Sequence, residues 1–222
     1  MSYYLYSPTH VCRQAPIKES IRELNDKVFV DNNFQRRPWW DLERKQNFIR
    51  SVFEGANLHA ILLADIETGK EVSSRDRDEL SYQKYVSAWD QEKKYISLDG
   101  QNRANTIWDF MENKFRVTGT FVDEDGVSHS LISTLFKEMP QRLRDKFYNS
   151  KLNLTIAKNF KYDQLSELFL NNNSDQSLEA PERRNAYNTP FSTIIREFSE
   201  TDTYSALSDR IVRPDRKLRM ED

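Results

Sequence analysis

The chain has one cysteine, Cys12, in 222 residues. No intramolecular disulfide can form, and a Cys-x-x-Cys metal site is impossible. Histidine is scarce too. His10, His59 and His129 are scattered without ligand spacing, which argues against a zinc site. No run of 18 apolar residues occurs, and "MSYYLYSPTH" has neither a charged n-region nor a long apolar stretch. A transmembrane helix and a secretory signal are therefore not expected. An excess of one charge is also missing. The formal net charge is -2 and the pI is near 6.0, unlike the strongly basic footprint of a nucleic-acid-binding domain, although local patches stay open. These absences lead to the expectation of a soluble cytoplasmic protein, from a bacterial cell or a virus that infects one.

The mean hydropathy of -0.81 is low, so the core must be economical. Aromatic residues, 12% of the chain, supply much of it because each buries a large area. Aromatic and branched residues recur up to about residue 200, which excludes a disordered composition. The length suits one domain with or without an appendage.

Hydrophobic spacing organises the chain. Ile17, Ile21 and Leu24 predict a helix over 17–27, followed by a short strand "VFV" at 28–30. Pro38 keeps "DNNFQRRPWW" out of a helix interior. Asp41 can cap a helix whose Leu42, Phe48, Ile49, Val52 and Phe53 form one face, with Gly55 as its stop. "LHAILLADI" reads as a strand covered on both faces. The charged stretch 67–93 reads as an insertion between core strands, with one helical patch at "SYQKYVSAWDQ". "KYISL" is the next strand, "NRANTIWDFMENKF" a helix, and Asp125-Gly126 the tip of a hairpin. "MPQRLRDKFYN" and "YDQLSELFLN" are helical about a strand "LNLTIAKNF". Two short helices break near Pro190, and Arg210, Arg213, Arg216, Lys217 and Arg219 make a basic tail. The class is α/β or α+β with a small mixed sheet. The expected division is a core over 1–160, a helical extension over 161–200 and a flexible tail over 201–222.

The chemistry concentrates in "SLDGQNR". A strand ends and a helix starts within about two residues, where backbone N–H groups without internal partners meet the positive end of the helix dipole. Phosphate is readily held at such a place. Gly100 has no Cβ and lets a ligand approach its backbone. Gln101 and Asn102 can donate or accept hydrogen bonds. Arg103 in the first turn opposes the dipole by roughly 0.3–1 kcal/mol unless an anion lies between them. Asp99 can hold Mg²⁺ or orient a water. The competing reading is that Asp99 caps the helix and Arg103 runs along the surface.

Three stretches, in order, carry a resemblance: "NNFQRRPWW" with "RKQNFIRSVFEG", then "SLDGQNRANTIWDF", then "LFLNNNSDQSLEAPERRNA". Together they resemble the DGQQR-motif domain of the ParB/sulfiredoxin-like superfamily, over roughly residues 17–198. That domain is the nucleotide-hydrolysing half of modification-dependent restriction systems and also occurs in anti-phage systems. The resemblance implies a ParB-like core that binds a nucleoside triphosphate through Asp99, Gly100, Gln101, Asn102 and Arg103. It places Gln35 and Arg36 nearby, and it suggests that Glu182, Arg183 and Asn185 close over the site. Asp99, Arg103 and Arg36 are the expected catalytic residues, with Mg²⁺ at Asp99. Asn102 stands where the family usually has a second, longer glutamine. No HNH-like pattern occurs, so DNA cleavage is expected of a separate nuclease or effector subunit.

The function expected is NTP hydrolysis or phosphoryl transfer in a DNA-directed process. Two alternatives stay open: a DNA-binding or nuclease-like module of the same fold, and an inert interaction protein. Elsewhere, His59 reads as a packed histidine, His129 as exposed, Cys12 as inert and "DEDG" as a solvated hairpin tip. One of Trp39 and Trp40 is expected in the core and the other at the surface.

Overall fold

In the computed structural model the described residues are 7–31, 34, 40–172, 194, 198 and 201. They contain a five-stranded mixed sheet. Its strands are β1 (Thr9–Pro16), β2 (Val28–Val30), β3 (Ile61–Asp65), β4 (Tyr95–Asp99) and β7 (Lys151–Lys158), in the order β1-β7-β3-β4-β2. β3 runs parallel to β7 and antiparallel to β4, β2 is parallel to β4, and β1 is antiparallel to β7. A separate hairpin pairs β5 (Val117–Val122) with β6 (Ser128–Thr134).

The helices are α1 (Ile17–Leu24), α2 (Leu42–Phe53), α3 (Ile66–Arg75), α4 (Glu79–Trp89), α5 (Gln101–Met111), α6 (Gln141–Asn149) and α7 (Tyr162–Asn172). Alternation along the central strands sends side chains to two cores. Ile61, Leu63, Tyr95, Leu152, Leu154 and Ile156 meet residues of α1, α2, α5, α6 and the hairpin. Leu62, Ala64, Ile96 and Leu98 meet residues of α3, α4 and α7, together with Phe34. All five residues of β3 are buried, as a strand covered on both faces requires.

Aromatic rings bind the first core. Phe110 contacts Phe115, Phe136 and Phe147 at centroid distances of 5.4, 5.2 and 5.4 Å. Each such pair contributes about 0.5–1.5 kcal/mol beyond its buried area. In the second core the wholly buried Tyr85 of α4 lies against Gly69 of α3. A Cβ at Gly69 would stand 2.3 Å from Cζ of that ring, so only glycine allows this approach. The Tyr85 hydroxyl donates to the Phe160 carbonyl at 2.8 Å, and burial pushes its pKa up.

Several sequence expectations need correction. β1 was not foreseen, because it is an edge strand whose first four residues are exposed. Residues 67–93 form two helices rather than one patch, capped by Asp65 and Asp78. Leu42 is exposed at the start of α2, although Asp41 caps that helix and Gly55 ends it at φ +69° as expected. His59 is exposed in the loop before β3, which starts only at Ile61. His129 is half-buried, and its ring lies 2.8 Å from Asp123. Asp123 is turned inward with a fully buried side chain and accepts the N–H groups of Asp125 and Val127. Only Glu124, Asp125 and Gly126 make a solvated tip. Trp40 is half-buried, edge-on to Phe48 and beneath the Arg44 guanidinium, while Trp39 lies outside the described residues.

Candidate functional site

β4 ends at Asp99, and α5 begins two residues later at Gln101. Gly100 makes the corner in the left-handed region at φ +91°, ψ 10°. Two constraints hold glycine there. L side chains rarely adopt this conformation. In addition, a Cβ would lie 3.0 Å from the backbone Cα of Ile61 in the neighbouring strand and 3.1 Å from Nη2 of Arg103. The corner is thus wedged against the start of β3.

The competing reading made Asp99 the cap of α5. The geometry does otherwise. The N-cap position belongs to Gly100, and no side chain caps the helix. Oδ1 of Asp99 accepts the N–H of Gly100 at 2.6 Å, one residue before the helix. Oδ2 accepts Nη2 of Arg103 at 2.8 Å. No acidic residue lies in the first turn of α5. The N-terminus of this 11-residue helix therefore keeps its dipole without a carboxylate cap.

Arg103 is folded back over the corner with 12% of its side chain exposed. Nη2 also donates to the Ala60 carbonyl at 3.1 Å, tying α5 to the chain entering β3. Nε is buried without a hydrogen-bond partner. Nη1 has no acceptor among the described residues. One edge of the guanidinium is anchored, and donor capacity remains. A buried donor left unpaired costs about 1–3 kcal/mol, and an anionic oxygen reached by the guanidinium would offset part of that cost.

Neighbouring contacts fix the frame. Lys45 of α2 donates to Asp109 of α5 at 2.8 Å, and Lys114 approaches the other oxygen of Asp109 at 3.2 Å. Partial burial pushes the Asp109 carboxyl up, but these two lysines outweigh it and hold it below the usual carboxylate range. Thr106 donates to the Asn102 carbonyl at 2.7 Å. Gln101 and Asn102 are half-buried in the first turn. Among the described residues no group of three or more His, Cys, Asp or Glu gathers as a metal site.

Thus the structure brings Asp99, Gly100, Gln101, Asn102 and Arg103 into one corner. Gln35, Arg36, Glu182, Arg183 and Asn185 lie outside the described residues, as does the basic tail. Two described residues near Gln35 in sequence, Asp31 and Phe34, are anchored. The Tyr162 hydroxyl donates to Asp31, and Phe34 packs on Tyr162 and Phe169 at 5.5 and 6.3 Å. Ala60 and Ile61 were missed as parts of the corner. Both act through backbone atoms and lie 40 residues before it in sequence, so no side-chain pattern signals them.

No helix among the described residues is long and apolar enough to cross a membrane. No curated protein and no solved structure matches the chain. Residues 17–212 match the family described as "GmrSD restriction endonuclease, N-terminal domain". The match spans most of the chain and includes the whole of β4, the corner and α5. On that match, the chain belongs to the family of GmrSD restriction endonuclease N-terminal domains.

Proposed function

We propose that this chain binds a nucleoside triphosphate at the β4–α5 corner and hydrolyses it, or transfers its phosphoryl group, within a DNA-directed restriction process. The family supports the restriction setting. One observation carries the site: a helix N-terminus without a side-chain cap, reached through a glycine that has no room for a side chain, with a partly unpaired arginine beside it. That arrangement suits a phosphate, because N–H groups, dipole and guanidinium all favour negative charge.

Asp99 forms an ion pair with Arg103 at 2.8 Å. An arriving phosphate competes for the guanidinium and leaves Asp99 free to hold Mg²⁺ or orient water. Mg²⁺ commonly uses one or two carboxylates plus phosphate oxygens and water, so a single protein carboxylate is a sufficient donor set. Asp99 is the residue that would hold it, and the metal would supply charge neutralisation on the phosphates. In this reading Arg36, Arg183 and Asn185 add further phosphate contacts, and a separate nuclease or effector subunit cuts DNA.

Calorimetric titration of the purified chain with each common NTP and Mg²⁺, paired with a phosphate-release assay, tests the proposal. Binding is expected for at least one NTP, with turnover reduced about 100-fold or more in Arg103→Ala, the scale of losing one charge-stabilising donor. Absence of binding and turnover for every NTP, or an Arg103→Ala variant equal to wild type, sinks it.

A further inference from the structure

Ala60 also lines an open depression of about 510 Å³. Its walls include Gln14 of β1, Asn57, His59 and Ala60 of the loop before β3, and Asn153 and Thr155 of β7. Ala60 joins it to the corner, since its carbonyl accepts Arg103. The volume falls in the range of small-molecule sites, about 300–1,000 Å³.

The lining is unusual in its chemistry. Three carboxamides form a row across two strands and a loop. Nε2 of Gln14 donates to Oδ1 of Asn153 at 2.8 Å, in register in the β1–β7 ladder. Nδ2 of Asn153 then donates to Oδ1 of Asn57 at 3.2 Å and to the Leu58 carbonyl at 2.6 Å. The row leaves an acceptor at one end, Oε1 of Gln14, and donors at the other, Nδ2 of Asn57. Leu58 and Leu154 add apolar wall. The only Arg, Lys, Asp or Glu in the lining is Arg13, whose Nη2 is paired with Glu23 at 2.5 Å and whose Nε is buried without a hydrogen-bond partner.

Three carboxamides outnumber the single, ion-paired arginine, so the lining offers phosphate little charge. It suits a neutral planar group that both donates and accepts hydrogen bonds. A nucleobase has that chemistry. We infer that this depression is a nucleoside subsite, in which Gln14 and Asn57 hydrogen-bond to the base of the nucleotide whose phosphates sit at the β4–α5 corner. The inference rests on the phosphate reading of that corner. It adds a division of labour: charge is handled at the corner and base identity in the amide-lined depression. It also gives β1 a part in recognition, although its sequence carries no nucleotide motif.

The test uses two probes on the full chain: the NTP that wild type binds best, and inorganic tripolyphosphate, which has no base. The variants are Gln14→Ala with Asn57→Ala combined, Asn57→Asp alone, and Arg103→Ala. Gln14 and Asn57 are exposed, so folding should hold, and unchanged circular dichroism checks it. The double variant is expected to bind the NTP about tenfold more weakly and tripolyphosphate as wild type does. Asn57→Asp keeps the shape, replaces donors with acceptors and adds a negative charge, so it should weaken every NTP and the preferred base most. If both variants bind the NTP like wild type while Arg103→Ala loses it, the subsite is overturned and the corner stands. Equal weakening toward both probes in the double variant also overturns it. If wild type binds neither probe, the corner reading and the subsite fall together.

Discussion

Two strand-to-helix corners sit at opposite ends of an antiparallel pair, β3 into α3 and β4 into α5. Each strand ends in an aspartate. At the first, the helix starts at the next residue, and Asp65 occupies the N-cap, accepting the Thr68 N–H at 2.9 Å. At the second, one glycine intervenes. That shift moves Asp99 out of the cap position, so its carboxylate takes the Gly100 N–H and Arg103 instead. The residue type and its place in the topology are the same. One inserted residue decides whether the carboxylate closes the helix end or leaves it open to a ligand. The first corner serves stability, and the second, with glycine at the cap, gives up roughly a few tenths of a kcal/mol.

The comparison can be broken at either end. The largest effect on stability is expected at the first corner's helix. Gly69→Ala should destabilise by about 3 kcal/mol, because the new Cβ meets the buried Tyr85 ring at 2.3–2.7 Å. Denaturant unfolding measures this, and the folded fraction should bind nucleotide normally. Gly100→Ala should cost about 1–3 kcal/mol from backbone strain and the approach to Ile61, and it should also weaken nucleotide binding. If both glycine variants affect binding alike, the two corners are not distinct in function.

Removing the carboxylates sharpens the contrast. Asp65→Ala should cost about 1 kcal/mol through loss of the cap, with phosphate release unchanged. Asp99→Ala should cost about 1–3 kcal/mol, because it strips a largely buried guanidinium of its carboxylate, and it should also lower phosphate release strongly. A reversal of these two phenotypes would end the division proposed for the corners.

A third aspartate gives the smallest and pH-dependent effect. Asp123 closes the β5–β6 turn, and its pKa is held down by the hydrogen bond from His129, with further help from the Val127 and Asp125 N–H groups against the cost of burial. A depressed folded pKa means this stabilisation is present above the unfolded value, near 3.9, and is lost as pH falls through the folded value. The thermal midpoint of wild type should therefore drop below about pH 4 more steeply than that of Asp123→Asn. Parallel curves would deny Asp123 this role.

Much of this architecture is legible in the sequence where burial is one-sided or complete. α2, β3, β4, β7 and the Asp125-Gly126 hairpin follow from apolar spacing and turn residues. The strand "VFV" falls on β2 itself. β1 escapes because an edge strand with exposed side chains has no apolar alternation to display. α4 falls on the helical patch "SYQKYVSAWDQ", whereas α3 escapes because its buried residues are Ile66, Gly69, Val72 and Ser73, of which only two are apolar side chains of any size. At the corner, Asp-Gly between a strand and a helix marks the backbone chemistry. The carbonyl that holds Arg103 and the amide row beside it arise from pairing of distant segments, Gln14 with Asn153 and Ala60 with Arg103, which local pattern cannot encode.

The sheet order has a consequence for how the molecule is made. Among the described strands β7, the last in sequence, lies between β1, the first, and β3. Until residues 151–158 are synthesised, β3 has one unpaired edge and β1 has no partner strand. Closing the sheet then joins segments more than 130 residues apart, which raises contact order and slows folding. A chain stalled before Lys151 would expose an apolar strand edge, the kind of template that draws other chains into aggregates. The amide row spanning β1 and β7 is assembled only at that last pairing.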